Sequence, residues 1–275
     1  MFICINQVIA NGKNQFEINI DGTLKYCADT PWFSAGLPFG IENIKKLKFM
    51  NTDGEMIYTT DYSVVENTLE SMIPFKYLFK EGQKFMQMNI LDKYNENRGS
   101  ICTKMNGILE SNLCFTFNNE VFLGYDVSKG KIRTISVYKD NLEIAQITKP
   151  LSVKDNLDNY YIHIIDEYSY IADVISFFVI YFDYCNYRNS NQLVVHKNEV
   201  SVEYTYNKNN KFYNKSWIKE QFGDAEYSRF TNLLQQRHDV IKKEVANTTK
   251  LVLFLCGIIW CVILIGAVVV FLNKK

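Results

Sequence analysis

Three clusters of basic residues are the part of the sequence best suited to binding chemistry. They are Lys45, Lys46 and Lys48; Lys76, Lys80 and Lys84; and Lys129, Lys131 and Arg133. Two or three converging cationic side chains can hold a phosphorylated group, since lysine offers a point charge and arginine a planar fork. We predict that the first and third clusters bind lipid headgroups. The alternative is a set of solvated side chains on strand edges, where lysine also blocks unwanted strand pairing.

The residues that catalysis or metal binding would need are scattered. His163, His196 and His238 lie in separate segments, and Asp166 with Glu167 suits the start of a helix better than a metal site. The sequence contains no phosphate-binding glycine loop, no H-E-x-x-H and no G-x-S-x-G motif. We therefore predict a protein that is not an enzyme and that holds neither a cofactor nor a metal.

Composition narrows the class of protein. The chain of 275 residues has 30 basic and 30 acidic side chains, and this net charge of zero argues against general nucleic-acid binding. Its seven cysteines are odd in number and include no C-x-x-C pair, which argues against a disulfide framework or a zinc site. We interpret them as buried thiols in a reducing compartment.

The first 165 residues are predicted to form one strand after another. Asp21-Gly22 and Asp53-Gly54 each separate two alternating segments, and Asp-Gly is typical of tight hairpin turns that need positive φ. Strands are expected at 16–20, 23–27, twice within 48–61, and at 83–91, 100–109, 112–117, 120–125, 131–138, 142–148 and 159–165. About twelve short strands predict a barrel or a sandwich. The aromatic loop at 31–40 is expected to cap a barrel mouth or to dip into a membrane surface.

Residues 168–187 are apolar on nearly every side of a predicted helix. Twenty residues are enough to cross a bilayer, but Asp173 and Asp183 would each cost about 3 kcal/mol near its centre. A helix that is hydrophobic all round can equally form the core of a soluble domain. We predict a helix buried inside a closed barrel, with a second membrane span as the alternative. The aspartates are expected to share one polar edge or to lie near open barrel ends.

The order of these segments resembles a known superfamily. Hairpins with Asp-Gly turns precede SVYKDNLEIAQITKP, then the tyrosine-led segment YYIHIID, and then the apolar helix. This order is similar to the tubby C-terminal-like fold of tubby, LURP-one-related and phospholipid scramblase proteins, over about residues 1–187. The resemblance implies a twelve-stranded barrel around one central helix, and a role in binding phosphoinositide headgroups or in moving lipids.

The chain after the central helix is predicted to end the barrel domain near residue 206, or just after the helix at 188, and then to approach a membrane. Residues 192–196 and 199–206 predict a further hairpin, and residues 207–215 a polar linker. Residues 216–245 predict an amphipathic helix that packs on a partner, on the barrel or at a membrane surface. Its apolar positions, three or four residues apart, include Tyr227, Phe230, Leu234, Ile241 and Val245.

Residues 251–272 carry no charge over 22 positions, which predicts a transmembrane helix. With no recognisable signal peptide and three residues after this segment, the chain is expected to be tail-anchored. Basic residues before the span favour a barrel on the cytoplasmic side; they are Lys242, Lys243 and Lys250. The orientation argument is weakened by two basic residues on the other flank, Lys274 and Lys275.

These features predict a mainly β protein with three regions. A barrel domain spans 1–206, a linker and juxtamembrane helix span 207–250, and a transmembrane helix spans 251–272. The expected function is non-enzymatic binding of anionic lipid headgroups, or of a protein partner, at the membrane surface. The alternatives are a scramblase-like protein that moves lipids, and a structural adaptor that assembles with itself or a partner through residues 216–245.

Overall fold

Short polar turns connect the strands, as the sequence predicts. The computed structural model describes residues 1–10, 14–30, 46–61, 83–107, 110–187 and 198–272. Asp21 and Gly22 have φ of 47° and 82°, the left-handed values that let a two-residue turn join twisted antiparallel strands. Asn118-Asn119 and Asp140-Asn141 turn in the same way. The predicted cap at 31–40 lies outside the described residues.

Fifteen strands form a closed barrel with a small ladder beside it. Their bounds are β1 Phe2–Ile9, β2 Gln15–Ile20, β3 Thr23–Asp29, β4 Lys48–Asn51, β5 Met56–Asp61, β6 Gln83–Asp92, β7 Asn97–Gly107, β8 Glu110–Phe117, β9 Glu120–Gly130, β10 Ile132–Lys139, β11 Leu142–Pro150, β12 Ser152–Val153, β13 Asn159–Ile164, β14 Glu199–Val200 and β15 Glu203–Tyr204.

The barrel is a ring of twelve antiparallel strands. Strands β1 to β9 pair in sequence order, β9 pairs with β10, and the ring closes through β11 and β13 back to β1. Strand β15 adds to β9, while β12 and β14 pair with each other. The predicted strand at 199–206 is therefore two short strands, and its proposed partner at 192–196 lies outside the described residues. The prediction of a closed barrel is confirmed.

Strand β1 was not predicted, because both of its faces are apolar. Ile3 and Ile5 point into the barrel and are fully buried. Phe2 and Cys4 point outward, where they pack in a second apolar cluster against the C-terminal helix. A strand covered on both sides loses the alternation of polar and apolar residues by which strands are recognised.

The central helix occupies the inside of the barrel. A 3-10 turn, Asp166–Ile171, leads into helix α1, Ala172–Asn186. All residues of α1 except Asp173, Cys185 and Asn186 are buried, and they share one core with the inward side chains of the strands. Burial of each large apolar side chain stabilises the fold by about 1.5–3 kcal/mol. The prediction of a buried helix is confirmed.

The C-terminal helix packs on the outside of the barrel. A 3-10 turn, Lys208–Phe212, precedes helix α2, Trp217–Leu272, which is broken at Gly223, where φ is 83°. The apolar face of α2 covers β1 and β13. Its buried residues are Trp217, Ile218, Phe230, His238 and Ile241. The amphipathic face was predicted to pack on a partner, on the barrel or at a membrane surface. In the structure it packs on the barrel.

Candidate functional site

The predicted basic residues fall on two different sides of the barrel. Lys48 begins β4 and is exposed, and Lys46 just before it is half-buried. Lys129 and Lys131 flank the turn between β9 and β10 and are both exposed. Four strands separate β4 from β9 around the ring, so the two clusters do not converge. Lys45 lies outside the described residues.

Arg133 is held inside an ion pair. Its Nε donates to Asp126 Oδ1 at 2.8 Å, and its Nη1 donates to the Tyr187 hydroxyl at 2.9 Å. The guanidinium also lies over the Phe182 ring, 5.1 Å from its centroid. These contacts tie β10 and β9 to the end of α1, so Arg133 serves the fold at this end of the barrel.

Helix α2 brings a further lysine to the β9–β10 turn. His238 of α2 is buried, and its Nδ1 lies 2.7 Å from the Ser152 hydroxyl. Burial, followed by the positive charges of Lys131 and Lys242, lowers the pKa of His238. Lys131 of the barrel and Lys242 of the helix therefore both lie close enough to His238 to act on its charge, and Asp239 opposes them.

Exposed aromatic residues border this region. Tyr204 of β15 lies opposite Lys129 in the register with β9. Tyr204 and Tyr206 are 59% and 88% exposed, and their ring centroids are 6.5 Å apart. We call the set Lys129, Lys131, Lys242, Tyr204 and Tyr206 the basic face. This set could not be predicted from the sequence. Its members come from three segments that meet only when α2 and β15 pack on the barrel.

A second arrangement holds α2 against the barrel near its start. His163 Nε2 lies 2.9 Å from Glu226 Oε1, and Arg229 donates two hydrogen bonds to the same carboxylate. The hydrogen bonds from Arg229 come first among the causes that lower the pKa of Glu226 to about 2. Phe2 and these side chains line a cavity of about 610 Å³ between the barrel and α2. His163 thus links the barrel strand β13 to α2 through Glu226.

A buried ionic network closes the end of the barrel where α1 ends. Lys149 and Asp158 form an ion pair that is almost fully buried, and Tyr160 donates to Asp183 Oδ1 at 2.6 Å. Burial, followed by the charge of Asp158, raises the pKa of Asp183 to about 8. No described group donates to Asp183 Oδ2. The Asp158 carboxylate thus favours the protonated form of Asp183.

A small polar cavity adjoins that network, and a larger one lies at the other end of the barrel. The first, of about 210 Å³, is lined by Lys149, Asp158 and Tyr187 among others. The second, of about 370 Å³, is lined by Tyr58, Tyr94 and Arg98 among others. Among the residues that the structure describes, no group of three or more His, Cys, Asp or Glu side chains is arranged to hold a metal ion.

The last contacts between α2 and the barrel precede the uncharged segment. Val245 is half-buried, whereas the residues from Ala246 to Leu251 are exposed. The helix continues to Leu272, and the large apolar side chains of its first uncharged turns are exposed, including Leu253, Phe254 and Trp260. Within the described part of the chain, no helix is found that is long and apolar enough to cross a membrane.

Comparison of the chain with protein-family models, with curated proteins and with solved structures finds no match. The resemblance to the tubby, LURP-one-related and scramblase proteins therefore stays a prediction.

Proposed function

We propose that this protein is a membrane-anchored, non-enzymatic barrel that binds anionic lipid headgroups through its basic face. The observation that carries the proposal is the position of Lys131 and Lys242 beside His238, on the helix that leads into the uncharged segment 251–272. One rigid element thus connects a positively charged surface to the segment that we propose as the anchor.

The anchor is proposed from the sequence and from the exposure of its first turns. The 22 uncharged positions of 251–272 match the roughly 20 residues that a helix needs to cross the hydrocarbon layer. Exposed leucine, phenylalanine and tryptophan side chains, such as Leu253, Phe254 and Trp260, are unfavourable in water and favourable in lipid. Lys242, Lys243 and Lys250 before this segment favour a barrel on the cytoplasmic side.

The spacing along α2 suits contact between the basic face and lipid headgroups. Lys242 precedes Leu251 by nine residues, or about 14 Å of helix. The polar layer of a bilayer is about 6 Å thick on each side, so Lys242 lies within about one Debye length of the headgroups at physiological salt. Each lysine at this distance gains about 1 kcal/mol from anionic lipid. Tyr204 and Tyr206 have the amphipathic rings that are enriched at membrane interfaces.

The experiment compares lysine reactivity in the full chain, placed in nanodiscs of neutral lipid or of mixed neutral and anionic lipid. An amine-reactive reagent and peptide mass spectrometry give the labelling rate of each lysine. Contact worth about 1 kcal/mol should slow the labelling of Lys129, Lys131 and Lys242 about fivefold in anionic discs. Lys48, on another side of the barrel, is the internal control and should label equally in both discs.

Two results would reject separate parts of the proposal. Equal labelling of Lys129, Lys131 and Lys242 in both discs would reject binding of anionic headgroups by the basic face. Release of the chain from membranes by alkaline carbonate would reject the anchor. A charge-reversed variant, Lys131→Glu with Lys242→Glu, should lose the difference between discs, and the matched variant Lys46→Glu with Lys48→Glu should keep it.

A further inference from the structure

Two cysteines face each other on neighbouring strands of the barrel. Cys102 of β7 and Cys114 of β8 are direct partners in the antiparallel register. Facing residues in such a pair have Cα atoms about 4.5–5.5 Å apart, within the range of about 4.4–6.8 Å that a disulfide spans. Both are free thiols, and each affects the pKa of the other.

Two lysines lie on the same face of the sheet as this pair, and their charges act on both thiols, while Lys104 also hydrogen-bonds Cys114. Lys104 lies two residues from Cys102 on β7, so its side chain is on the same face, and Lys84 of β6 is the register partner of Lys104. The hydrogen bond from Cys102, followed by the charge of Lys104, lowers the pKa of Cys114 against the effect of burial. The hydrogen bond with Cys114, followed by burial, raises the pKa of Cys102.

We propose that Cys102 and Cys114 form a redox-active dithiol that a peroxide converts to a cross-strand disulfide. Cys114 is the nucleophile, because thiolate and not thiol reacts with peroxides, and nearby cations favour the thiolate. Cys102 is the resolving thiol, held directly opposite. A small oxidant is required, since Cys102 is 1% exposed and Cys114 is 2% exposed.

The reaction has two balanced steps. First, the Cys114 thiolate attacks one oxygen of hydrogen peroxide, so that an S–O bond forms and the O–O bond breaks; the hydroxide released takes up a proton and becomes water. Second, the Cys102 sulfur attacks the Cys114 sulfenic acid, so that the S–S bond forms and the S–O bond breaks. The second hydroxide leaves with the Cys102 proton as water. Two thiols are oxidised and one peroxide is reduced.

The test treats the folded full chain with hydrogen peroxide at pH 7 and maps its peptides without reduction. The expected product is a cross-link between the peptides that contain Cys102 and Cys114, with the loss of two hydrogen atoms. Cys102→Ser should instead accumulate a sulfenic acid on Cys114 that dimedone traps. Cys114→Ser should react at least about tenfold more slowly at this pair. Cys4→Ser is the matched cysteine control and should form the disulfide as the natural sequence does.

The lysine contribution is tested by a matched pair of neutralised lysines. Lys104→Gln should slow disulfide formation roughly threefold at pH 7, because less of Cys114 is then thiolate. Lys46→Gln, on another part of the barrel, should leave the rate unchanged. A wild-type map in which peroxide oxidises Cys4 or Cys27 but never links Cys102 to Cys114 would overturn the proposal, and this measurement needs no variant to fold. Equal rates for the two lysine variants would overturn the activating role of Lys104.

Discussion

The two aspartates of the central helix make the same bond in different surroundings. Tyr58 donates to Asp173 Oδ2 at 2.6 Å near the start of α1, and Tyr160 donates to Asp183 Oδ1 at 2.6 Å near its end. Asp173 is half-buried, beside an open cavity that Tyr58 lines. Asp183 is fully buried, beside the Lys149–Asp158 ion pair.

Helix direction and access to water explain why the two ends differ. The N-terminal end of a helix carries partial positive charge, and Asp173 lies there, in the first turn. The C-terminal end carries partial negative charge, which disfavours ionisation of Asp183 in the last turn. Burial is the first cause of the raised pKa of Asp183, because no water replaces the lost hydration. The same residue type is therefore a half-buried acceptor at one end and a proton-holding group at the other.

The largest expected difference between the ends is in the effect of pH on stability. The native state keeps the Asp183 proton up to about pH 8, whereas the unfolded chain, with an ordinary pKa of 3.8, loses it. Folding therefore holds an extra proton between these values, and the free energy of unfolding should fall as pH rises through them. The full shift corresponds to about 6 kcal/mol, and this is an upper limit, since Asp158 and Lys149 respond to the same charge.

Asp183→Asn isolates this effect, since an amide accepts the Tyr160 hydrogen bond and cannot ionise. Its unfolding free energy, measured by urea denaturation from pH 5 to pH 8.5, should fall less than that of the natural sequence. Asp173→Asn is the matched variant at the other end of the helix, and it should keep the fall in stability that Asp183 produces. Parallel profiles for all three proteins would mean that Asp183 is ionised at neutral pH, and the contrast between the helix ends would fail.

A smaller difference is expected when one ion pair at each end is broken. Lys149→Met leaves Asp158 as an uncompensated buried charge beside Asp183, which should destabilise the fold by about 3–5 kcal/mol. Arg98→Met breaks the ion pair with Asp92 at the other end, where the Arg98 side chain is 40% exposed. That change should cost less than the Lys149 variant, because water reaches the Arg98 guanidinium. If urea denaturation shows that Lys149→Met and Arg98→Met lose the same unfolding free energy, water reaches Lys149 as well.

The features that the sequence predicts are those built from local patterns. Asp-Gly and Asn-Asn turns require positive φ at particular residues, and a helix without a polar face must be buried, so the barrel and its helix follow from neighbours in the chain. The aspartates at 173 and 183 also lie near the helix ends, one of the two placements expected. The open barrel end expected beside them is found at Asp173 and not at Asp183.

The features that escape prediction depend on which distant segments meet. The facing of Cys102 and Cys114 follows from the register between β7 and β8, which no local pattern sets. The pairing of Lys149 with Asp158 and the placement of Lys131 near His238 depend on where strand ends and α2 pack. Arg133 was grouped with two lysines by its position in the chain, but its side chain turns to Asp126 and Tyr187.

The smallest expected difference comes from removing one hydroxyl at each end. Tyr160→Phe leaves Asp183 Oδ1 buried without its donor, which should cost about 1–3 kcal/mol. Tyr58→Phe removes the donor to Asp173, but water can replace it at a half-buried carboxylate, so the cost should be about 0.5–1 kcal/mol.

The double variants decide whether each loss belongs to the hydrogen bond. Combining Tyr160→Phe with Asp183→Leu removes both polar partners and should recover part of the stability that Tyr160→Phe alone loses, because no unpaired acceptor remains. Tyr58→Phe with Asp173→Leu should recover little, since Asp173 keeps its hydration when Tyr58 is changed. The unfolding free energy of each variant is measured by urea denaturation at pH 6. If both double variants recover a similar part of it, water reaches Asp173 no better than it reaches Asp183. The asymmetry would then come from the helix dipole and the Asp158 charge, and not from access to water.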